Sequence, residues 1–366
     1  MCNARIATLT FHRTTNYGAI FQTYALQKAL DKLGYSSEVL DYRCPTIESR
    51  YNYNRIKYFL NLKNIAKCLL QNSYIRDNRK SFHDFSDSYI RTSKESVNNS
   101  NIASYSKRYG IIIAGSDQIW NPECTGYDSN YFLSFTSDSH KESYAASLGR
   151  NSFSREQSNW LKNNLGGFKR ISVRETSSAD IIKSCTGKSP SIVVDPTILL
   201  HDEWLEIGNS IKCKEQEPYI LIYAMTLTGS LLHSARQYAK NHGYRIILIN
   251  DWLFPYLGVK NKFYTTPIEW LNYFINAKAI FTNSFHGTAF SVNLQKQFFV
   301  ELLPKPIKSN GRIIDFLKTL ELQSRIIDNS IQPSDMAIDY SIANALLSKQ
   351  IEFSYNYLKN ILNHGE

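Results

Sequence analysis

The stretch ARIATLTFHRTTNYGAIFQTYALQKALDKLGYSSEVLDY, residues 4–42, predicts how the chain folds. It begins with a short apolar run typical of a β-strand, and a turn containing Asn16 and Gly18 follows. The next segment spaces its apolar residues so that one face of a helix is buried, and Gly34 stands where a C-terminal helix cap belongs. SSEVLDY supplies a second strand. The order is that of a β-α-β unit, which predicts a parallel sheet covered by helices.

The rest of the chain continues this alternation. Strands are predicted at residues 111–114 and 191–195, and a second series of strands and helices starts at residue 219. Between the two series, residues 201–218 are polar and without strong periodicity, so we predict a linker there.

The chain is expected to form two domains, because 366 residues are more than a single core usually holds. The predicted class is α/β, with two Rossmann-like parallel-sheet lobes facing a cleft. The N-terminal lobe covers residues 1–205, the C-terminal lobe covers residues 206–334, and helices over residues 335–366 pack back on the first lobe. Ligands of such folds bind where the strand C-termini face the cleft.

Composition favours a cytoplasmic protein without a metal centre. Apolar residues make up 43% of the chain, but the apolar runs are too short to span a bilayer, and the N-terminus lacks the pattern of a secretory signal. The six cysteines are scattered and form no CxxC pair, which argues against both zinc binding and a disulfide framework.

The net charge of +10 favours anionic partners, and the excess is concentrated in residues 50–80, where eight basic residues accompany one acidic residue. Aromatic and aliphatic residues alternate with these charges. One interpretation is a helix that rests on an anionic membrane surface, at the inner face of the cell membrane. The other is a solvated helix that packs one face on its own domain. Retention of the protein on anionic vesicles at low salt separates the two. No nucleic-acid-binding module is present, so nucleic acid is not an expected partner.

Loops that follow strands hold the candidate site residues. The first loop contains Asn16 and Gly18, which either bind substrate or cap the next helix. Neither GxGxxG nor GxxxxGK[ST] occurs in the chain, which argues against NAD and against nucleotide binding by a P-loop. In the loop after residues 111–114, Ser116 offers a backbone amide to an anion, and Asp117 is a candidate general base or a turn cap.

Arg174 and His286 are the strongest candidates for binding and catalysis. Arg174 follows a predicted strand, and its guanidinium suits a carboxylate or phosphate, although an ion pair with Glu175 or Asp180 is the alternative. His286 stands between a strand and a helix, where an imidazole can transfer a proton near neutral pH, or be a buried structural histidine. Ser284 is placed to cap that helix. The amides of the next residues, Gly287, Thr288 and Ala289, are expected to be free for an anion.

Ordered blocks over roughly residues 5–327 resemble the polysaccharide pyruvyl transferase family. The blocks are NYGAIFQTYALQKALDKLGYSSEVLDY, IIIAGSDQIWNP, YFLSF with KESYAASLG, ISVRETSSADII, VVDPTILL, and IFTNSFHGTAFSVNLQKQF with RIIDFL after it. Each block alone is a weak signal, but their joint occurrence in this order is specific.

This resemblance implies a two-lobed fold like that of the B-type glycosyltransferases. It implies a reaction in which phosphoenolpyruvate and a sugar give a pyruvate ketal and phosphate, without a metal or organic cofactor. By the same resemblance, His286 and Arg174 are associated with phosphoenolpyruvate. Asp117, Asn16 and Arg312 lie in matching blocks, where Asp117 is the candidate base and Arg312 a second positive charge.

The resemblance further implies a role in capsular or exopolysaccharide synthesis, with an undecaprenyl-linked saccharide as the expected acceptor. Two alternatives stay open at this point. The same fold serves glycosyltransferases that use a nucleotide sugar, and a non-catalytic assembly or membrane-docking protein with a decayed site would keep the same blocks. Heat stabilisation by phosphoenolpyruvate rather than by nucleotide sugars would exclude the glycosyltransferase. Release of phosphate from phosphoenolpyruvate in the presence of a sugar acceptor would exclude the non-catalytic protein.

Overall fold

The computed structural model describes residues 5–51, 62–137, 141–168, 170–250, 255–263, 265–304, 310–328, 333 and 336–363. The side chains of residues 50, 51, 62–75 and 250 are outside this description. Of the eight basic residues in the stretch that one interpretation of the sequence places on a membrane, Arg76, Arg79 and Lys80 have described side chains, and the side chains of the other five lie outside the description. Lys80 pairs with Asp84 on the same helix at 2.6 Å.

The opening β-α-β unit forms as the sequence predicts. It consists of β1 (Ile6–Leu9), α1 (Tyr17–Lys32) and β2 (Ser37–Val39), and β1 and β2 are parallel. The side chain of Asn16 caps α1 by accepting a hydrogen bond from the Ala19 amide at 3.0 Å. Gly34 follows the helix with a φ of 87°, a left-handed conformation that glycine adopts without strain.

The first sheet is parallel and has the order β2-β1-β3-β4, with β3 at Ile111–Ala114 and β4 at Lys141–Ser143. A parallel pair, β5 (Ser172–Val173) and β6 (Ser191–Ile192), extends it, because Ala146 bridges to both Asp117 and Val173. The helices of this half are α2 (Pro45–Tyr51), α3 (Leu62–Tyr89), α4 (Ile102–Ser106), α5 (Pro122–Thr125), α6 (Arg155–Leu165) and α7 (Thr176–Thr186).

Two local predictions in this half are wrong. The strand expected over residues 191–195 ends at Ile192, and Pro196–Leu199 forms a 3₁₀ turn that Asp195 caps. The expected linker contains helix α8 (Asp202–Asn209), in which Trp204 and Ile207 are buried. These two side chains are three residues apart and share one helical face, so a short apolar stripe suffices to fix a helix whose other residues are polar.

The second sheet has six parallel strands in the order β12-β11-β10-β7-β8-β9. The strands are β7 (Tyr219–Tyr223), β8 (Arg245–Asn250), β9 (Lys260–Phe263), β10 (Ala279–Thr282), β11 (Gln297–Glu301) and β12 (Ile326–Ile327). The helices are α9 (Gly229–His242), α10 (Pro267–Asn276), α11 (Phe285–Asn293), α12 (Gly311–Thr319) and α13 (Ser341–Leu362). The predicted α/β class with parallel sheets is therefore confirmed.

Helix α1 joins the two sheets through buried aromatic side chains. Tyr17 stacks on Trp270 of α10 with ring centroids 5.4 Å apart, and its hydroxyl donates to the Thr265 carbonyl at 2.6 Å. One turn further on, Phe21 contacts Phe290 of α11 at 5.3 Å. These contacts bring the start of α1 against the start of α11, where the candidate site lies.

Helix α13 contacts the first half of the chain after the second sheet is complete. Ser354 accepts a hydrogen bond from the Val194 amide at 3.0 Å, and the Asn360 carbonyl accepts one from Arg170 at 2.9 Å. Across the described ranges, no helix has the length and apolar character needed to cross a membrane.

Candidate active site

Arg174 is the centre of a buried ion-pair cluster at the end of β5. Its side chain is 0% exposed, Nη1 donates to Asp195 Oδ2 at 2.5 Å, and Nη2 donates to Asp117 Oδ1 at 3.0 Å. Nε lies 3.7 Å from Glu175 Oε2. Burial acts to lower the pKa of Arg174, but Asp195, Asp117 and Glu175 together hold the pKa above its ordinary value.

These contacts agree with the alternative prediction of an ion pair between Arg174 and Glu175, and they add two further carboxylates. Both terminal nitrogens already bind carboxylates of the chain, and the side chain has no exposed surface. A bidentate bond to a ligand would first require breaking a buried ion pair, which is costly. In this arrangement Arg174 holds Asp195 and Asp117 in place through its ion pairs.

Asp195 connects Arg174 to His286. Its Oδ2 accepts from Arg174 and lies 3.8 Å from Nε2 of His286, while Oδ1 accepts from the Thr197 amide and hydroxyl. Burial acts to raise the pKa of Asp195, but the charge of Arg174 and the nearby His286 hold it well below its usual range. Asp195 is therefore an anion whose carboxylate faces the imidazole of His286.

His286 lies at the start of α11 with its ring against Gly18 of α1. A Cβ atom at position 18 would fall 1.9 Å from Nδ1 of His286, well inside contact distance. The His286 side chain is 10% exposed, so the ring is held by its surroundings while keeping a small accessible surface. Gly18 was predicted to bind substrate or cap a helix, and the structure gives it the role of making room for His286.

Replacing Gly18 with alanine is therefore expected to displace the imidazole and lower catalytic activity by at least about tenfold. Overpacking of this kind also costs about 1–3 kcal/mol of stability. Turnover and thermal unfolding of the variant measure the two effects. Gly229→Ala is the matched control, because Gly229 also lies in the first turn of a helix and a Cβ there meets nothing within 4 Å. If the Gly18 variant were as active as the Gly229 variant, the packing argument would be wrong.

Ser116 and Asp117 lie next to Asp195 and Arg174, and most of their polar atoms already take part in hydrogen bonds. Ser116 is fully buried, its amide donates to Gln22 Oε1 at 3.2 Å, and its hydroxyl donates to the Ala145 carbonyl at 3.0 Å. Direct anion binding by the Ser116 amide is therefore not available. Asp117 Oδ1 accepts from Arg174 and from the Gln118 amide at 2.8 Å, and its side chain is 11% exposed.

In the first turn of α11, the backbone amides without an acceptor are not the ones that the sequence predicts. The Ser284 hydroxyl caps the helix by accepting from the Gly287 amide at 3.3 Å, and the Thr288 amide donates to the Ser284 carbonyl at 2.9 Å. Within the described part of the chain, no acceptor is found for the amides of Phe285 and His286. The reason is geometric, because a capping side chain reaches the third amide of a helix and leaves the first two amides without a hydrogen-bond acceptor.

Arg312 comes from α12 and approaches the same place from the second sheet. Its guanidinium carbon lies 5.5 Å from the centroid of Phe285, and that of Arg174 lies 4.8 Å from the same ring. Asp315, one turn later on α12, accepts from the amides of Thr176 and Ser177 at 3.0 and 3.3 Å, which docks α12 onto the start of α7.

Arg312 differs from Arg174 in its partners. No carboxylate among the described residues lies within ion-pair distance of it, although Arg174 and the acids around it are nearby. Burial, followed by the positive charge of Arg174, lowers the pKa of Arg312 from its ordinary value. An anion bound beside Arg312 would offset both the burial of its guanidinium and the repulsion from Arg174.

Four buried polar atoms without a hydrogen-bond partner converge on this site: Arg174 Nε, Glu175 Oε2, His286 Nε2 and Arg312 Nε. Buried polar groups in folded proteins are nearly always paired, and the exceptions often have a catalytic or binding role. The cluster marks the site as a place for a polar ligand or for proton transfer.

Asp195 and Glu175 are the residues that reasoning from the sequence missed as members of the site. The sequence places Asp195 only at the end of a predicted strand, and it offers Glu175 only as an ion-pair partner of Arg174. The available signal was that each follows a short strand, but it becomes useful only once β5 and β6 are known to be neighbours. Neighbouring parallel strands bring their C-terminal ends to one edge of a sheet.

Comparisons with known proteins agree with this fold. A family described as polysaccharide pyruvyl transferase matches residues 16–300. No curated protein sequence matches the chain significantly. A solved structure of a putative UDP-N-acetylglucosamine 2-epimerase from Listeria monocytogenes is similar, with 10% identity, a TM-score of 0.52, and coverage of 100% of this chain and 90% of that chain.

Two further solved structures have lower scores. A UDP-GlcNAc 2-epimerase from Methanocaldococcus jannaschii, in complex with UDP-GlcNAc and UDP, has 11% identity and a TM-score of 0.49, covering 96% of this chain and 92% of that chain. An E. coli heptosyltransferase with ADP has 12% identity and a TM-score of 0.39, covering 96% and 99%. At these identities the likeness to the Listeria protein concerns the fold alone, and it confirms two Rossmann-like lobes.

Proposed function

Because the chain belongs to the polysaccharide pyruvyl transferase family, we propose that it moves the pyruvyl unit of phosphoenolpyruvate onto two hydroxyls of a saccharide. The products are a pyruvate ketal and inorganic phosphate. One observation carries the proposal within the site: the imidazole of His286 faces the anionic Asp195 and packs against the Phe285 ring, and the guanidinium of Arg312 lies over the same ring. No carboxylate among the described residues pairs with Arg312, and a proton donor together with such a cation suits an anionic enol phosphate.

His286 acts as the general acid in this proposal. Its imidazolium gives a proton to C3 of phosphoenolpyruvate, and the double bond becomes an oxocarbenium-like centre at C2. A sugar hydroxyl adds to C2 and loses its proton. The C2–O bond to phosphate then breaks, and the second hydroxyl closes the ketal ring with loss of its proton. Phosphate carries away one of the two released protons, and the other restores the imidazolium.

The charges of the donor require positive partners. Arg312 and the first two amides of α11, those of Phe285 and His286, bind the phosphate or the carboxylate. Arg174 acts through its ion pairs by fixing Asp195, which orients His286, and by fixing Asp117. Asn16 caps α1, and Ser284 caps α11 by accepting from the Gly287 amide, so these residues fix the two helix starts that surround the donor. The Ser116 hydroxyl also lies 3.5 Å from Asp195 Oδ2 and helps to hold that carboxylate in place.

Asp117 is the base that we propose for the sugar hydroxyl. One of its oxygens is taken by Arg174 and the Gln118 amide, so Oδ2 is the atom that remains for substrate. The partial exposure of this side chain, 11%, distinguishes it from Glu175 and Asp195, whose side chains are 1% exposed.

The acceptor that we propose is an undecaprenyl-linked saccharide, presented at the inner face of the cell membrane during capsular or exopolysaccharide synthesis. The donor and this acceptor are the only small molecules that the reaction needs, and no cofactor takes part. This finer part of the proposal is supported by the family membership and by the basic composition of residues 50–80.

The reaction is tested with phosphoenolpyruvate and a panel of galactose-, mannose- and glucosamine-type acceptors, as nitrophenyl glycosides and as lipid-linked saccharides. The expected result is phosphate release that depends on acceptor, together with an acceptor mass increased by one ketal-linked pyruvyl group. UDP-sugars are run in parallel. Heat stabilisation or transfer with a UDP-sugar, and neither with phosphoenolpyruvate, would replace this proposal by glycosyl transfer.

A further inference from the structure

A cavity of about 240 Å³ lies in the first lobe, lined by residues that are separate from the candidate active site. Its walls come from the loop after β1, from the segment after β2, and from α3. Thr14 and Thr15 line it from the loop, Asp41 from the second wall, and Phe82 and Ser86 from the helix. Three separate segments therefore converge on one concave surface at the strand ends, where ligands of parallel sheets bind.

The charges around this cavity are largely paired with one another. Arg13 binds Asp41 through two nitrogens, and its Nη2 to Oδ2 distance is 2.5 Å. Arg43 binds Glu48 through two nitrogens, with 3.0 Å between Nη2 and Oε2. His83 lies 3.6 Å from Asp87. An anion would have to compete with these carboxylates, so the cavity is poorly suited to phosphate or a carboxylate.

The remaining groups suit a neutral ligand with many hydroxyls. Thr14, Thr15, Ser86 and Thr92 contribute hydroxyls, which donate and accept hydrogen bonds with equal ease. Arginine–carboxylate pairs keep further donors and acceptors in one plane, to which neighbouring hydroxyls of a sugar ring can bond. Phe82 adds an apolar wall, as sugar C–H groups require.

The cavity and the candidate active site share one loop. Thr14 and Thr15 face the cavity, and within a few residues Gly18 of the same segment contacts His286. On the other side, Phe82 lies 5.0 Å from the ring of Tyr17, between the cavity and the aromatic contacts that join the lobes. The cavity and the imidazole of His286 are therefore flanked by neighbouring residues of one segment.

We propose that this cavity binds a neutral sugar ring of the acceptor saccharide, next to the ring that receives the pyruvyl group. The proposal rests on the proposed function for the identity of the acceptor, but the binding itself is independent of catalysis. The acceptor recognised in this way is at least a disaccharide.

The experiment measures binding by saturation-transfer NMR, with methyl glycosides of galactose, mannose and N-acetylglucosamine and their disaccharides as probes. Ser86→Trp fills the cavity from α3, and Thr92→Trp fills it from its exposed mouth, where a large side chain is tolerated without repacking the core. Ser88→Trp is the matched control on the exposed face of the same helix. At least one probe is expected to bind the wild type, with Kd raised at least about tenfold in the two cavity variants and unchanged in Ser88→Trp.

His286→Ala and inorganic phosphate separate the remaining explanations. Probe binding that survives in His286→Ala and is not displaced by phosphate supports a neutral sugar site outside the catalytic pocket. The proposal is overturned if no probe binds, if both cavity variants bind like the wild type, or if phosphate displaces the probe. If a probe binds through the cavity but phosphoenolpyruvate is never consumed, the sugar site stands and the proposed reaction fails.

Discussion

Replacing His286 with alanine is expected to reduce pyruvyl transfer by about 10²–10⁴-fold, the range typical of losing a general acid. The reason is positional, because the imidazole lies between Gly18 and the carboxylate of Asp195. The helix cap of α11 comes from Ser284, so the helix start is expected to survive the change. Initial rates of phosphate release with saturating phosphoenolpyruvate and acceptor measure the effect.

The matched control for this variant is His233→Ala, because His233 is exposed on α9. It is expected to keep wild-type turnover. Thermal unfolding of both variants close to that of the wild type would show that the loss is chemical. Partial recovery of His286→Ala by added imidazole would support a proton-transfer role, which a purely structural histidine would not show. Turnover of His286→Ala within about threefold of the wild type would remove His286 from the mechanism.

Replacing Arg174 with methionine is expected to destabilise the fold by about 3–5 kcal/mol near neutral pH, as breaking a buried ion pair does. Methionine keeps much of the side-chain volume but leaves Asp195 and Asp117 without their shared cation. Asp195 is fully buried and has no second cation at hydrogen-bond distance among the described residues, so it bears most of the cost. Chemical denaturation at neutral pH measures the loss.

The loss is expected to depend on pH with a defined sign. In the wild type, the pKa of Asp195 is lower in the folded state than in the unfolded state, so its pairing stabilises the fold above the unfolded pKa. That contribution is lost as pH falls through the depressed folded pKa. Without Arg174, burial dominates and raises the folded pKa of Asp195, so the variant becomes relatively more stable as it takes up a proton. The difference in the free energy of unfolding between wild type and variant should narrow from pH 7 toward about pH 4.

Arg108→Met is the control for this comparison, since Arg108 pairs with Glu95 at 3.2 Å on the surface with both side chains largely exposed. Exposed ion pairs contribute little, and no measurable loss of stability is expected. If Arg174→Met were as stable as Arg108→Met at neutral pH, or if the gap widened on acidification, the buried cluster would not have the energetic role described here.

The course of the chain was predictable wherever periodicity was strong. The first β-α-β unit and the alternation around β7, β8, β10 and β11 follow from apolar runs and helical spacing. The helix over Asp202–Asn209 and the strand Lys260–Phe263 were not predicted, because the first has a narrow apolar stripe and the second has no apolar run. Each forms because a neighbouring element packs on it or pairs with it, and that information is not local.

The same division holds for the candidate site. Sequence singled out Arg174, Asp117 and His286 because each follows a strand, but it offered only Glu175 and Asp180 as partners of Arg174. Glu175 is confirmed as a partner at 3.7 Å, whereas the two partners at hydrogen-bond distance, Asp195 and Asp117, lie 21 and 57 residues away along the chain. Parallel strand order brings them together, and no local pattern encodes that order.

The sequence by itself determined the α/β class, the family and the positions at which chemistry is placed, because periodicity and ordered motif blocks are properties of the chain. Only the tertiary structure decided the surroundings of each residue. It placed Arg174 in a buried ion-pair cluster, and it explained Gly18 by the His286 ring that lies against it. It also left Arg312 as the cation without a described carboxylate partner. Burial and pairing decide whether a charge is available to a ligand, and both arise only when distant segments meet.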